Sequence, residues 1–471
     1  GSDPQADLTS WYTTVNAGEP YGSQATFVAN QIAQFHSPFY LLDGKYGTPL
    51  EAPAPLLIAN GFTDDLFPVD EALRYYNLER ALYPSDPLQL VDGDFGHMRA
   101  NNKPADVALL SSRIEQFFDA YLNPRRSAGP PSSGVTASIE TCPSGAPSGP
   151  TYSASTWAGL HPGEVYFASP LSQTVTSGAG NPAISQAIDP ISGPGACATV
   201  TATDQGAGVA TYRLPAASGR GYTLLGSPTV IAKLALSGTY PEVASRLWDV
   251  DPTTNTETLV ARGLYRPSAS GEQVFQLHPG AWHFAAGHIP KLELLAQDSP
   301  YGRTSNGSFS IAVSGLQLRL PVHELPRSSR VIAAPRVPVI LGCSGLPAAR
   351  VQTARINRYG EVSVHGTASD QSCPSAGTTI SSRQRLARVS LIVYRTAGFG
   401  HCRFLQPNGR LSRPRLCSDP VELPVRGGAR RWGFFGRVRN EYHSRYLIVP
   451  DAVDRLGQHQ LPVAPYAVDA P

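Results

Sequence analysis

Between Pro55 and Ala100 two short apolar runs bracket one amphipathic stretch. Pro55-Leu-Leu-Ile-Ala59 is apolar at every position, as a strand buried on both faces must be, and it breaks abruptly at Asn60-Gly61-Phe62-Thr63-Asp64-Asp65. Helical periodicity then runs from Pro68 to about Tyr83. Leu88-Gln-Leu-Val91 forms the second strand and leads into Asp92-Gly-Asp-Phe-Gly-His97. From about Pro104 to Leu122, the residues Val107, Leu110, Ile114, Phe117, Phe118 and Tyr121 recur on one face, which predicts a helix packed against the sheet. Upstream, a helix is expected from about Ser23 to His36, in a segment dense in aromatics: Trp11, Tyr12, Tyr21, Phe27, Phe35, Phe39 and Tyr40.

After residue 125 the helical period gives way to alternation. The stretch 125–149, rich in Ser, Gly and Pro, reads as a linker or an extended crossing segment. Beyond it Tyr222–Leu236, Ala244–Val250, Glu257–Tyr265 and Phe309–Val313 alternate between turn signals, the pattern of a β-sandwich or jelly roll over 150–325. Further strands are expected at Arg388–Tyr394 and Tyr446–Val449. Asp249-Val-Asp251 with Asn255 lacks the glycine and terminal glutamate of a calcium loop and reads as a hairpin turn.

Charge divides the chain further. Its formal net charge is only +2, yet residues from Arg330 onward carry 20 arginines, no lysine and 8 acids, a local +12. Residues 330–471 are therefore expected to form a separate arginine-rich β-domain. Within it Arg430–Arg439 interleaves bases with Trp432, Phe434 and Phe435, as a polyanion surface does, but a strand with one solvated face and one aromatic core face accounts for the same pattern. No nucleic-acid partner is expected. No apolar run is long enough for a membrane helix, and the first residues show no basic region followed by an apolar core, so a signal peptide is expected on a missing amino-terminal part if at all. Six cysteines fall in order as Cys142 and Cys197, Cys343 and Cys373, Cys402 and Cys417, with no zinc-ligand spacing. They predict sequential disulfides and a secreted or extracellular location, with neither metal nor cofactor. Asn306-Gly-Ser308 is a glycosylation sequon.

The chemistry sits after the two apolar runs, since open α/β sheets place their sites at the carboxyl ends of strands. Gly61-Phe-Thr-Asp64-Asp-Leu-Phe-Pro68 resembles the acid loop, and Gly96-His97 the histidine loop, of the α/β-hydrolase fold. The resemblance implies that Asp64, with Asp65 as its alternative, and His97 are the acid and base of a catalytic triad. A plainer reading has aspartate ending a strand and histidine standing in a loop. The chain contains no Gly-x-Ser-x-Gly nucleophile turn, and only 63 residues precede Asp64, so residues 1–124 are expected to be the carboxyl-terminal part of such a domain, with the aromatic segment 1–50 either a cap over the substrate or ordinary core packing.

Leu225-Gly-Ser-Pro-Thr-Val230, Leu247-Trp-Asp-Val250 and Ala261-Arg-Gly-Leu-Tyr-Arg266 are similar to the jelly roll that follows the hydrolase domain in the cocaine esterase and X-prolyl dipeptidyl peptidase family. The fold class implied is α/β plus β: a partial α/β-hydrolase domain, a jelly roll and a small disulfide-containing β-domain. The activity implied is a serine hydrolase acting on a small ester or peptide, its serine supplied from elsewhere. The alternative is a catalytically inactive secreted module whose β-domains bind a wall polymer or glycan.

Overall fold

The computed structural model describes residues 7–42, 53–123, 133–326, 331–333, 347–370, 386–397, 401–417, 420–428, 431–439, 444–454, 460, 463, 465–466 and 467–470. Helices α1 (Leu8–Ala17), α2 (Ser23–His36) and α3 (Pro38–Leu42) come first. Strand β1 (Leu56–Gly61), helix α4 (Val69–Leu82), strand β2 (Leu88–Gly93), helix α5 (Pro104–Leu122) and strands β3 (Gly134–Ser138) and β4 (Thr151–Ala154) follow.

These four strands form one sheet in the order β1-β2-β3-β4. The first three are parallel, with Leu56 beside Leu88 and Gln89 beside Gly134, and β4 runs antiparallel to β3. All six residues of β2 are buried, which is why its run is unbroken by charge until its end. Helix α4 carries Asp70 and Glu71 in its first turn and Arg80 in its last, each sign complementing the helix dipole.

Two expectations need correction. The stretch 125–149 is more than a linker, because β3 lies within it and sits between β2 and β4. Val135 and Ala137 are buried, but five residues flanked by Ser, Gly and Pro give too short an alternation to stand out. Nor does α5 bury its whole apolar face: Val107, Ile114, Phe118 and Leu122 are exposed, Phe118 to 54%. The strand α5 contacts most is β1, the edge of the sheet, while Asp106 in its first turn reaches Ser138 of β3.

Residues 163–333 form an eight-stranded and a five-stranded sheet facing one another across a shared core of Leu234, Leu247, Phe284, Leu292, Leu318 and others. Strand Val331–Ala333 pairs with Gly163–Ser169, so this sheet extends past residue 325. The outer side of the five-stranded sheet carries a buried ion network in which Arg246 and Arg262 hold Asp298 and Lys291 holds Glu257 and Glu293. Asp249 and Asp251 end one strand of a hairpin whose turn, through Asn255, leads into the paired strand Thr256–Tyr265, as expected.

The α/β sheet packs on this sandwich. Leu225 and Ala281 join its core, and Glu140 and Ala281 exchange two hydrogen bonds: the Glu140 N–H donates to the Ala281 carbonyl, and the Ala281 N–H donates to Glu140 Oε1. The Cys142–Cys197 disulfide adds a covalent link. The sequon side chain is engaged, with Asn306 Nδ2 donating to the carbonyls of Ala17 and Glu19. Cys402 and Cys417 are also bonded, while Cys343 and Cys373 lie outside the described residues. The arginine-rich region forms a four-stranded and a six-stranded sheet around Leu391, Val393, Trp432 and Tyr446, and the expected strands at 388–394 and 446–449 pair with each other. No described helix is long and apolar enough to cross a membrane.

Candidate active site

The carboxyl ends of β1 and β2 bring Asp64 and His97 together across 33 residues of sequence. Asp64 Oδ2 lies 2.8 Å from His97 Nδ1 and accepts the His97 backbone N–H at 3.1 Å. Its Oδ1 accepts the N–H groups of Leu66 and Phe67, both at 2.8 Å, which pins the carboxylate within its own turn. The Asp64 side chain is 6% exposed and that of His97 is 47% exposed. A carboxylate on Nδ1 selects the Nδ1–H tautomer, so Nε2 carries the free lone pair. Among the described residues no group hydrogen-bonds to Nε2.

Two glycines permit this approach. A Cβ on Gly61 would lie 1.4 Å from the Phe95 carbonyl oxygen, and one on Gly96 would lie 2.6 Å from Asp64 Cα. Both stand in the sequence strings that carry the resemblance. Asp65, the alternative acid, is committed elsewhere: its Oδ2 meets Arg99 at 2.8 Å.

Asp64, Asp65 and His97 offer ligand atoms within 4.8 Å of one another. Both oxygens of Asp64 already hold N–H donors and Asp65 holds a guanidinium, so a cation would have to displace these partners and face Arg99. The donor set serves the histidine better than a metal.

Residues that sequence reasoning missed hold the histidine loop from below. Buried Asp94 accepts Thr63 Oγ1 at 2.9 Å, Asn101 Nδ2 at 3.1 Å and the Thr141 N–H at 3.0 Å. Burial nevertheless keeps its carboxyl above the usual range. Lys103 Nζ, also buried, donates to the carbonyls of Pro143, Ser144 and Ala146. Asn102 accepts the Gly96 N–H and donates to the His97 carbonyl. The one sequence signal for this network was the density of Asp, Asn and Lys from 92 to 103.

A groove of about 660 Å³ runs along β1 beside the pair, lined by Leu56, Ile58, Ala72, Tyr75, Phe67 and Leu110 among others. Among the described residues its lining includes no serine, threonine or cysteine. Phe67 packs against His97 with ring centres 5.5 Å apart. Of the amino-terminal helices, Pro38 of α3 reaches the groove, whereas Tyr12, Tyr21, Phe27 and Phe35 are exposed and line none of it.

No family model and no curated protein matches the sequence. Among solved structures the chain is similar to an aminopeptidase from the marine sediment archaeon Thaumarchaeota archaeon, at 13% identity and TM-score 0.44 over 65% of this chain and 63% of that one. It is also similar to an α-amino acid ester hydrolase, at 13% identity and TM-score 0.41 over 66% of this chain and 64% of that one. A CocE/NonD family hydrolase from Staphylococcus aureus matches at 12% identity and TM-score 0.40, over 67% and 63% of the two chains. The chain thus spans less than two thirds of the length of each of these structures.

Proposed function

We propose that this chain carries the acid–base half of a serine hydrolase acting on small ester or amide substrates, with His97 as general base and Asp64 as the carboxylate that orients it. The observation that supports the reading is the 2.8 Å contact between Asp64 Oδ2 and His97 Nδ1, which leaves Nε2 as a base facing solvent beside an apolar groove. In such a mechanism Nε2 takes the proton of a serine hydroxyl as its oxygen attacks the carbonyl, and Asp64 stabilises the imidazolium that forms. The proton then passes to the leaving group, and water releases the acyl group by the same route. Leu56, Ile58, Ala72 and Tyr75 suit an apolar acyl or side-chain group. This reading assigns the serine to residues other than those described. The disulfides favour a secreted protein.

The test is hydrolysis of p-nitrophenyl butyrate, with fluorophosphonate labelling to locate the serine. Both are run on this chain and on any longer polypeptide its reading frame encodes, each beside His97→Ala. The reading expects turnover in the form that holds the serine and a loss of about 10³-fold or more in the variant. Turnover indifferent to His97, or neither turnover nor labelling in any form, refutes it.

A further inference from the structure

One sheet of the arginine-rich region turns a single face to solvent. It is built in the order Pro347–Ile356, Glu361–Asp370, Arg431–Arg437 and Arg426–Gly428. Ile356, Val362, Val364 and Trp432 point into the core. The alternate positions, by strand periodicity, share the opposite face. There Arg355 pairs with Ser363, which pairs with Phe435, placing Arg355 and Phe435 about 10 Å apart across the sheet. The next row runs Thr353, His365, Gly433 and Arg426. Arg350 and Arg431 extend the face toward one end, and Arg437 faces Glu361 at the other.

Phe435 is 68% exposed. Its neighbours along and across the strands include Gly433 and Ser363, too small to cover the ring, and His365 meets it edge-on at 5.3 Å. Arg350, Arg355, Arg426 and Arg431 form no ion pair with any described residue. An exposed ring beside guanidinium groups that pair with no described acid, in a region of net charge +12, fits a partner that offers flat rings and regularly spaced anions.

We propose that this face binds an anionic polysaccharide, with Phe435 as the platform for a sugar ring and the arginines meeting its carboxylate or sulfate groups. Two observations favour a glycan over a nucleic acid. The Cys402–Cys417 disulfide belongs to an oxidising compartment, and Phe435 is the one large hydrophobic side chain that the described residues of these four strands expose, where unpaired bases stack on a succession of such rings. The inference is independent of the hydrolase reading.

The experiment is binding of the whole chain to heparin across a salt series, with dextran as the uncharged control and single-stranded DNA as the competing polyanion. Heparin is expected to be bound and dextran not, with affinity falling steeply as salt rises. The triple variant R355A/R426A/R431A is expected to flatten the slope of log affinity against log salt by about two to three. F435A should weaken binding roughly tenfold without changing that slope. All four positions are exposed, and circular dichroism verifies that the variants fold. Failure to bind heparin at low salt overturns the proposal on the wild-type chain alone. Binding unchanged in the triple variant moves the site elsewhere and also overturns it, as does DNA binding that is tighter than heparin binding and depends on Phe435.

Discussion

Replacing Glu140 by glutamine tests the electrostatics beneath the histidine loop. Burial, and after it the charge of Asp94, pushes the Glu140 carboxyl up to about 8, against the opposing pull of the Ala281 N–H. In an unfolded chain a glutamate titrates near about 4.3. A carboxyl raised on folding keeps its proton longer in the folded state, so folding takes up protons between these two values. Its effect on stability is therefore absent below about pH 4.3, and a penalty builds as pH rises to about 8. At about 1.36 kcal/mol for each unit of pKa difference, that penalty has a ceiling of about 5 kcal/mol. Glutamine keeps the Oε1 acceptor for Ala281 and removes the charge. Glu140→Gln should thus match the wild type near pH 4.5 and exceed it in stability near pH 8, by up to about 5 kcal/mol. Other buried acids with raised values, Asp92 and Asp94 among them, give the wild type the same sign of pH dependence; the difference between the two proteins removes the share of Asp92 and reads Glu140 together with its coupling to Asp94. Hydrogen exchange of β2 and β3, compared between wild type and variant at each pH in urea, reads this difference locally. A difference that stays constant from pH 4.5 to 8, or a variant less stable at pH 8, refutes the reasoning.

Three further outcomes follow from the site. Gly96→Ala places a methyl 2.8 Å from Asp64 Oδ2, so it should part the acid from the histidine and lower His97-dependent turnover about 100-fold while circular dichroism stays unchanged. Asp64→Asn should lower that turnover about 10⁴-fold, because an amide no longer selects the tautomer, whereas Asp65→Asn, which touches Arg99 and not His97, should cost far less. Breaking Cys142–Cys197 by a double serine substitution reopens a loop of 55 residues, a loss of about 4 kcal/mol by chain entropy. It should also speed exchange across 94–103, since Asn101 and Lys103 bond to Thr141, Pro143 and Ser144 beside that disulfide.

The acid and histidine loops were legible because their chemistry is local. Asp64 and His97 each end a short apolar strand, and Gly61 and Gly96 stand where no Cβ fits. Helices α2 and α5 were legible from period alone, with bounds at Ser23, His36, Pro104 and Leu122. What periodicity cannot tell is which part of an apolar stripe finds a partner: Phe118, on the predicted face of α5, is exposed. Strand β3 was hidden because its burial comes from its two neighbours in the sheet rather than from its own hydrophobicity. The carbonyl cage around Lys103 and the Arg246–Asp298 pair were equally silent, since each joins residues more than 35 positions apart.

The central claim, that Asp64 holds His97 with Nε2 ready to accept a proton, is tested most directly by nitrogen-15 NMR of the neutral imidazole in the wild type and in Asp64→Asn. The account predicts the Nδ1–H tautomer in the wild type, lost or mixed in the variant. An Nε2–H tautomer in the wild type, or a spectrum unmoved by the substitution, would contradict it.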